Sequence, residues 1–146
     1  MNIEQVKEVT EDLVEAFEVL MPQLTAYTTP PDKADLEKIV DSPSSTLFVA
    51  YDADYGNKII GTATLVTFRT ITGVHAWIED VVVDKSARRK GLGKALTMTA
   101  IDRAKYLGAK TVNLTSRSTR VAANSLYQRL GFKLRETNLY RYSFLD

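Results

Sequence analysis

Glu79 and Asp80 stand side by side, directly ahead of the apolar run Val81-Val82-Val83. Adjacent side chains on a regular strand point to opposite faces, so one of the two carboxylates faces a given side of the sheet. A bulge would let both reach the same side. A buried carboxylate without a charge partner has a raised pKa and makes a better base near neutral pH. On residues alone, two polar groups in a strand, one solvated and one salt-bridged, is the simpler reading. Beyond them lies Arg88-Arg89-Lys90-Gly91-Leu92-Gly93-Lys94. A basic segment with Gly-x-Gly between a strand and a helix suits an anion. Glycine lets the backbone approach a phosphate closely. The unpaired N–H groups of the helix start point at the anion, and the helix dipole assists. A basic turn before a surface helix is the alternative. Two other phosphate loops fit less well. A P-loop needs Gly-x-x-x-x-Gly-Lys-Ser/Thr, but Arg88 replaces the first glycine and Ala95 follows Lys94. A dinucleotide fingerprint needs a third glycine, and position 96 is Leu.

These residues need a scaffold, and the chain supplies its signals. Residues 2–9 alternate as a first strand. Thr10 caps a helix with Glu11 and Asp12 in its first turn and Leu13, Phe17, Leu20 and Leu24 on one face. Pro22 is expected to end or distort it. Asp32 caps a second helix over 33–41, and residues 46–51 and 58–68 are strands joined by a turn containing Gly56. The strand over 74–83 ends in an apolar run, as in the middle of a sheet. A helix over 92–107 carries Leu92, Leu96, Ala100 and Ala104 at i, i+4 spacing and stops at Gly108. A strand over 111–115, a helix over 119–130 ended by Gly131, and a hairpin of 132–135 and 138–145 close the chain. The order β-α-α-β-β-β-α-β-α-β-β predicts one α+β domain over 1–146.

The bulk properties agree. The chain has 146 residues, enough for one domain with a substantial core. It has no cysteine, which removes disulfides, thiolate metal sites and a cysteine nucleophile and fits a reducing cytoplasm. A single histidine, His75, cannot build a multi-histidine metal site, so no metal is expected. Nineteen basic against 18 acidic residues give no reason to expect nucleic-acid or membrane binding. The first residues do not read as a signal peptide, and no run approaches a membrane span.

The chain resembles the GNAT N-acetyltransferase superfamily. Arg88-x-x-Gly91-x-Gly93 is similar to that family's pyrophosphate motif, and Ala123-Asn124-Ser125-Leu126-Tyr127-Gln128-Arg129-Leu130-Gly131-Phe132 is similar to its second motif. The resemblance covers most of the chain and is strongest over 74–132. It implies a GNAT fold, with a mixed central sheet and helices on both faces. It also implies a co-substrate, acetyl-CoA. The strand ending in Val81-Val82-Val83 would splay from the strand at 111–115, and the pantetheine arm would pair with its backbone. Amides from Arg89 to Lys94, Leu92 included, would hold the pyrophosphate, with Arg88, Arg89, Lys90 and Lys94 adding charge. Many members carry Asn where this chain has Arg120; Asn124, one helical turn later on the same face, is the substitute.

The resemblance further implies direct acetyl transfer to an amine, without an acyl-enzyme. The run Ile78-Glu79-Asp80-Val81-Val82-Val83 closely resembles that of glucosamine-6-phosphate and of spermidine/spermine N-acetyltransferases. By that likeness Glu79 is the base, through water, and Asp80 orients the amine. Tyr127 is the general acid, because a phenol with a pKa near 10 stays protonated at neutral pH and can donate to a thiolate. Ser116 is a substrate or cofactor contact, and equally a turn residue. Arg117 and Arg120 suit an acidic group or a solvated helix start. His75 suits the strand surface, Trp77 the core, and Tyr27 a pocket-lining loop. The expected acceptor is a small-molecule primary amine, and a homodimer stays open. A protein N-terminus or lysine is the nearest rival acceptor. A non-catalytic acyl-CoA-binding module would need neither Glu79 nor Tyr127.

Overall fold

The computed structural model describes residues 1–26 and 28–145, so Tyr27 lies outside the described residues. The chain divides into two compact units, Met1–Thr115 and Ser116–Asp146. In the first unit, strands β1 (Asn2–Gln5), β2 (Ser45–Tyr51), β3 (Ile59–Thr70), β4 (Gly73–Val83) and β5 (Val112–Asn113) form one sheet in sequence order. The first three pairings are antiparallel and β4–β5 is parallel, so the sheet is mixed. Helices α1 (Glu11–Leu24), α2 (Lys33–Asp41) and α3 (Leu92–Tyr106) complete the unit.

The strand pleat sorts the helices. Leu47 and Val49 of β2 pack with Leu13 and Phe17 of α1 and Leu36 of α2 in one core cluster. Ala50 points the other way, and its cross-strand partner Gly61 faces α3. A Cβ at Gly61 would sit 3.0 Å from Leu96 Cδ1, so glycine lets α3 lie directly on the sheet. The predicted stripe Leu92, Leu96, Ala100 and Ala104 is fully buried. Helices therefore cover both faces, the α+β arrangement expected.

Local signals explain the helix ends. Thr10 Oγ1 accepts from Leu13 N at 3.3 Å, capping α1. At α2, Asp32 and Asp35 bond each other's backbone N–H groups, a reciprocal capping box. Pro22 does not end α1, which runs on to Leu24. It stands in the last turn, where its missing N–H forfeits only the bond to the Glu18 carbonyl. Strand β1 stops at Gln5, not at residue 9, because Val6 and Val9 turn in to pack on the core cluster. Trp77, expected in the core, is half-buried.

The second unit holds helix α4 (Val121–Arg129), closed by Gly131 at a left-handed φ of 101°. The predicted hairpin over 132–145 does not form; those residues carry no strand. Leu134, Tyr140 and Phe144 are 96%, 86% and 94% exposed. Two strands with no buried face between them gain too little to hold a ladder.

Candidate active site

The acidic pair sits at a break in register. Thr62 pairs with Val82 and Thr64 with Glu79, so Asp80 and Val81 together oppose the single residue Ala63. This is a β-bulge. Asp80 takes a left-handed φ of 53°, which Asp tolerates better than most residues. Directly opposed residues share a face, so Glu79 and Val82 lie on the side of Thr64 and Thr62. A regular strand would have put Glu79 and Val82 on opposite sides. That side is the one covered by α1 and α2. There Asp80, Val82, Thr62 and Thr64 floor a cavity of ≈ 260 Å³, walled by α1, α2 and the loop joining them. Glu79 is exposed, yet partial desolvation and then the Asp80 charge raise its carboxyl above the usual range.

On the other edge of β4 the sheet opens. The ladder to β5 holds only Ala76–Val112 and Trp77–Asn113. From Ile78 to Val83, β4 runs on without a β5 partner. Val81 and Val83 are half-buried and Val82 is buried. Arg88 Nε donates to the Val83 carbonyl at 3.0 Å, tying the loop back to the strand end.

The loop is shaped before it reaches the glycines. Asp84 Oδ1 accepts from Ser86 N at 2.9 Å and Ser86 Oγ at 2.7 Å, capping a 3-10 turn over Lys85–Ala87. Those bonds, the backbone one first, hold its carboxyl below the usual range. Gln23, at the end of α1, donates to Asp84 Oδ2 at 3.2 Å and accepts from Lys85 N at 2.8 Å. Arg89 and Gly91 then adopt left-handed φ of 65° and 83°. Gly91 is the N-cap of α3 and offers no side-chain cap. The first N–H groups of α3, on Leu92, Gly93 and Lys94, therefore receive no side-chain cap, the condition in which a helix start can accept an anion. Leu92 is buried and anchors that helix start. Lys90 bonds the Tyr55 hydroxyl, with its ammonium 4.8 Å from the ring centre, and this bond raises its pKa. Arg89 and Lys94 are exposed.

In the second unit, Asn124 Nδ2 donates to Arg117 O and Arg120 O, each at 2.8 Å, and to Ser116 Oγ at 3.3 Å. Asn124 therefore spends its donor on the turn that starts α4, leaving its carbonyl oxygen for other partners. Tyr127 is half-buried and meets Phe132 edge-on at 5.8 Å. Burial raises its phenol, against a weaker opposing pull from Arg120, so it stays protonated at neutral pH.

Glu79, Asp80, Val81–Val83 and the 88–94 loop thus fall in the first unit, and Ser116, Asn124 and Tyr127 in the second. His75 belongs to neither group: at the β3–β4 hairpin tip it bonds Thr70 and Thr72 and stacks on Phe68. Sequence reasoning missed Gln23 and Tyr55. Their partners are distant in sequence, and no local signal marks either residue. Among the described residues no cluster suits a metal, and no helix is long and apolar enough to cross a membrane.

Known proteins share this architecture. Over 84 residues the chain is 34% identical to the uncharacterized N-acetyltransferase YvbK of Bacillus subtilis (strain 168), a match covering 58% of this chain and 52% of that relative. The aligned stretch thus spans about half the relative's length. An acetyltransferase of Trypanosoma brucei superposes with a TM-score of 0.75 at 28% identity, over 97% of this chain and 100% of the other. The glucosamine-6-phosphate N-acetyltransferase of Arabidopsis thaliana shares the fold, with a TM-score of 0.79 at 24% identity over 97% and 99% of the two chains. Residues 7–132 match the Acetyltransferase (GNAT) family. With the bulged acidic strand, the opened sheet edge and the bare helix start all inside that match, the chain belongs to the GNAT acetyltransferase family.

Proposed function

We propose that this enzyme moves an acetyl group from acetyl-CoA directly to the primary amine of a small molecule. The observation that carries the reading is the bulge at Asp80, which sets Glu79 on the face of the cavity under α1 and α2. When bound, acetyl-CoA supplies an activated acetyl thioester. The chain's own groups suit its parts. The outward N–H groups of residues 92–94 and the left-handed turn at Arg89 and Gly91 fit a pyrophosphate. Arg88, Arg89, Lys90 and Lys94 add positive charge, though Arg88 and Lys90 also hold Val83 and Tyr55. The unpaired β4 edge at Val81–Val83 suits an extended amide-bearing arm, and the free oxygen of Asn124 is a further acceptor.

Glu79 takes, through a water molecule, the proton the ammonium must lose before the neutral amine can attack, and its raised carboxyl makes it a stronger base than an ordinary glutamate. Asp80 orients the amine beside it. Tyr127 donates its phenolic proton to the departing sulfur, and Ser116 contacts substrate or cofactor. A cavity of ≈ 260 Å³ has room for a small acceptor.

Two measurements test this. Acetyl-CoA should raise the melting temperature in a titration, because a ligand binding only the folded state stabilises it. Thiol release from acetyl-CoA should then depend on added primary amine. A protein that acetyl-CoA stabilises, but that releases no thiol with any amine, would be a binding module instead.

A further inference from the structure

The cavity's walls carry information about the amine, an argument that rests on the acetyltransferase reading above. Among its described lining residues there is no Lys, Arg or His. The ionisable groups there are two carboxylates, Asp80 on the floor and Asp35 on α2. Much of the remaining wall is apolar, from Phe17 and Met21 of α1, Leu36 and Ile39 of α2, and Leu47 of β2. The Thr62 hydroxyl is already given to the Phe48 carbonyl at 2.9 Å. Asp35 is partly committed to the Asp32 N–H. The cavity therefore offers negative charge at its sheet end and largely apolar walls, and among its described lining residues no cation to neutralise an anion. A phosphate or carboxylate on the acceptor would lose its hydration and meet only like charge. A polyol would find only Thr28, Thr29, Thr64 and the two carboxylates for its hydroxyls, and the rest would face apolar wall. A space of ≈ 260 Å³ suits a small, compact body.

We infer that the acceptor is a primary amine on a compact apolar or aromatic body of that size, bearing no anionic group. Its ammonium faces Asp80, with Glu79 next to it on the same face of the sheet, and its body lies between α1 and α2.

The test ranks four amines with the wild-type protein: 2-phenylethylamine, phenylalanine, glucosamine and glucosamine 6-phosphate. Phenylalanine adds only a carboxylate to the first, so that pair isolates the charge. The last pair isolates the phosphate on a polar body. Acetyl transfer is followed by thiol release, and binding is followed separately by calorimetric titration in the presence of CoA. We expect kcat/KM and affinity for 2-phenylethylamine to exceed those for the other three by at least about tenfold. Parity, or preference for phenylalanine or either sugar, overturns the inference while leaving the acetyltransferase intact. Failure of 2-phenylethylamine to bind at millimolar concentration also overturns it. Selective binding of 2-phenylethylamine without turnover of any amine upholds the inference about the cavity and refutes acetyl transfer.

Discussion

Gly91 offers a sharp test of the anion site, because its environment separates strain from crowding. Its φ of 83° lies in the left-handed region, yet a methyl group there would meet no heavy atom within 4 Å. Gly91→Ala in the ligand-free protein therefore costs backbone strain alone, about 1–2 kcal/mol. For a chain of this size that lowers the melting temperature by roughly 2–4 °C per kcal/mol. Two outcomes share that energy. If the turn keeps its shape, stability falls and CoA affinity holds. If the turn relaxes, stability is spared, but the amides of residues 92–94 must be restored on binding, weakening CoA by about 5- to 30-fold. Gly91→Asn should show about half of either effect, since Asn tolerates left-handed backbone. Thermal unfolding and calorimetric titration with CoA, run on both variants, read the two parts. Wild-type stability together with wild-type affinity in Gly91→Ala would refute the claim that a left-handed turn presents the helix start.

Three further outcomes are expected. Glu79→Gln should lower kcat by about 10²- to 10⁴-fold, the span of general acid–base catalysis. In the wild type, kcat/KM should fall as pH drops through a value above the ordinary carboxylate range, since the base must be ionised. The stability sign is opposite: a carboxyl raised on folding stabilises at low pH, and that contribution fades as pH rises through its folded value. Glu79→Gln should thus melt no lower than wild type at neutral pH, and a clear loss there would point to a structural role. Tyr127→Phe should slow turnover with CoA affinity nearly unchanged, because the phenyl ring still packs on Phe132; an undiminished kcat assigns sulfur protonation elsewhere. Leu96→Ala, at a fully buried position against Gly61, should cost about 2–5 kcal/mol in chemical denaturation while CoA and amine binding persist at low temperature.

What could be read in the sequence was what local chemistry encodes. Asp32 and Thr10 cap helices through bonds three residues long, and the α3 stripe repeats every four residues, so both were legible. The start of α3 directly after Gly91 was legible for the same reason. The bulge was visible only as an option: Asp80 has no sequence mark of left-handed backbone, and its partner strand sets the slip. The C-terminal alternation of Tyr140, Tyr142 and Phe144 suggested strands, but a ladder needs a neighbour that alternation alone does not name. The cavity's lack of cations was hidden too. Its lining comes from two helices, a loop and three strands, and chain charge averages that detail away.

Helix α1 has a consequence for how such an enzyme can diversify. Met21 borders the proposed amine cavity, and two residues later Gln23 grips Asp84 and Lys85 at the root of the glycine loop proposed to hold the cofactor. The last turn of α1 is thus a shared hinge pin. Substitutions there that reshape the room for one reactant also tilt the cradle for the other. New acceptor preferences are therefore easier to reach through α2, whose described bonds do not touch the cradle, than through the end of α1.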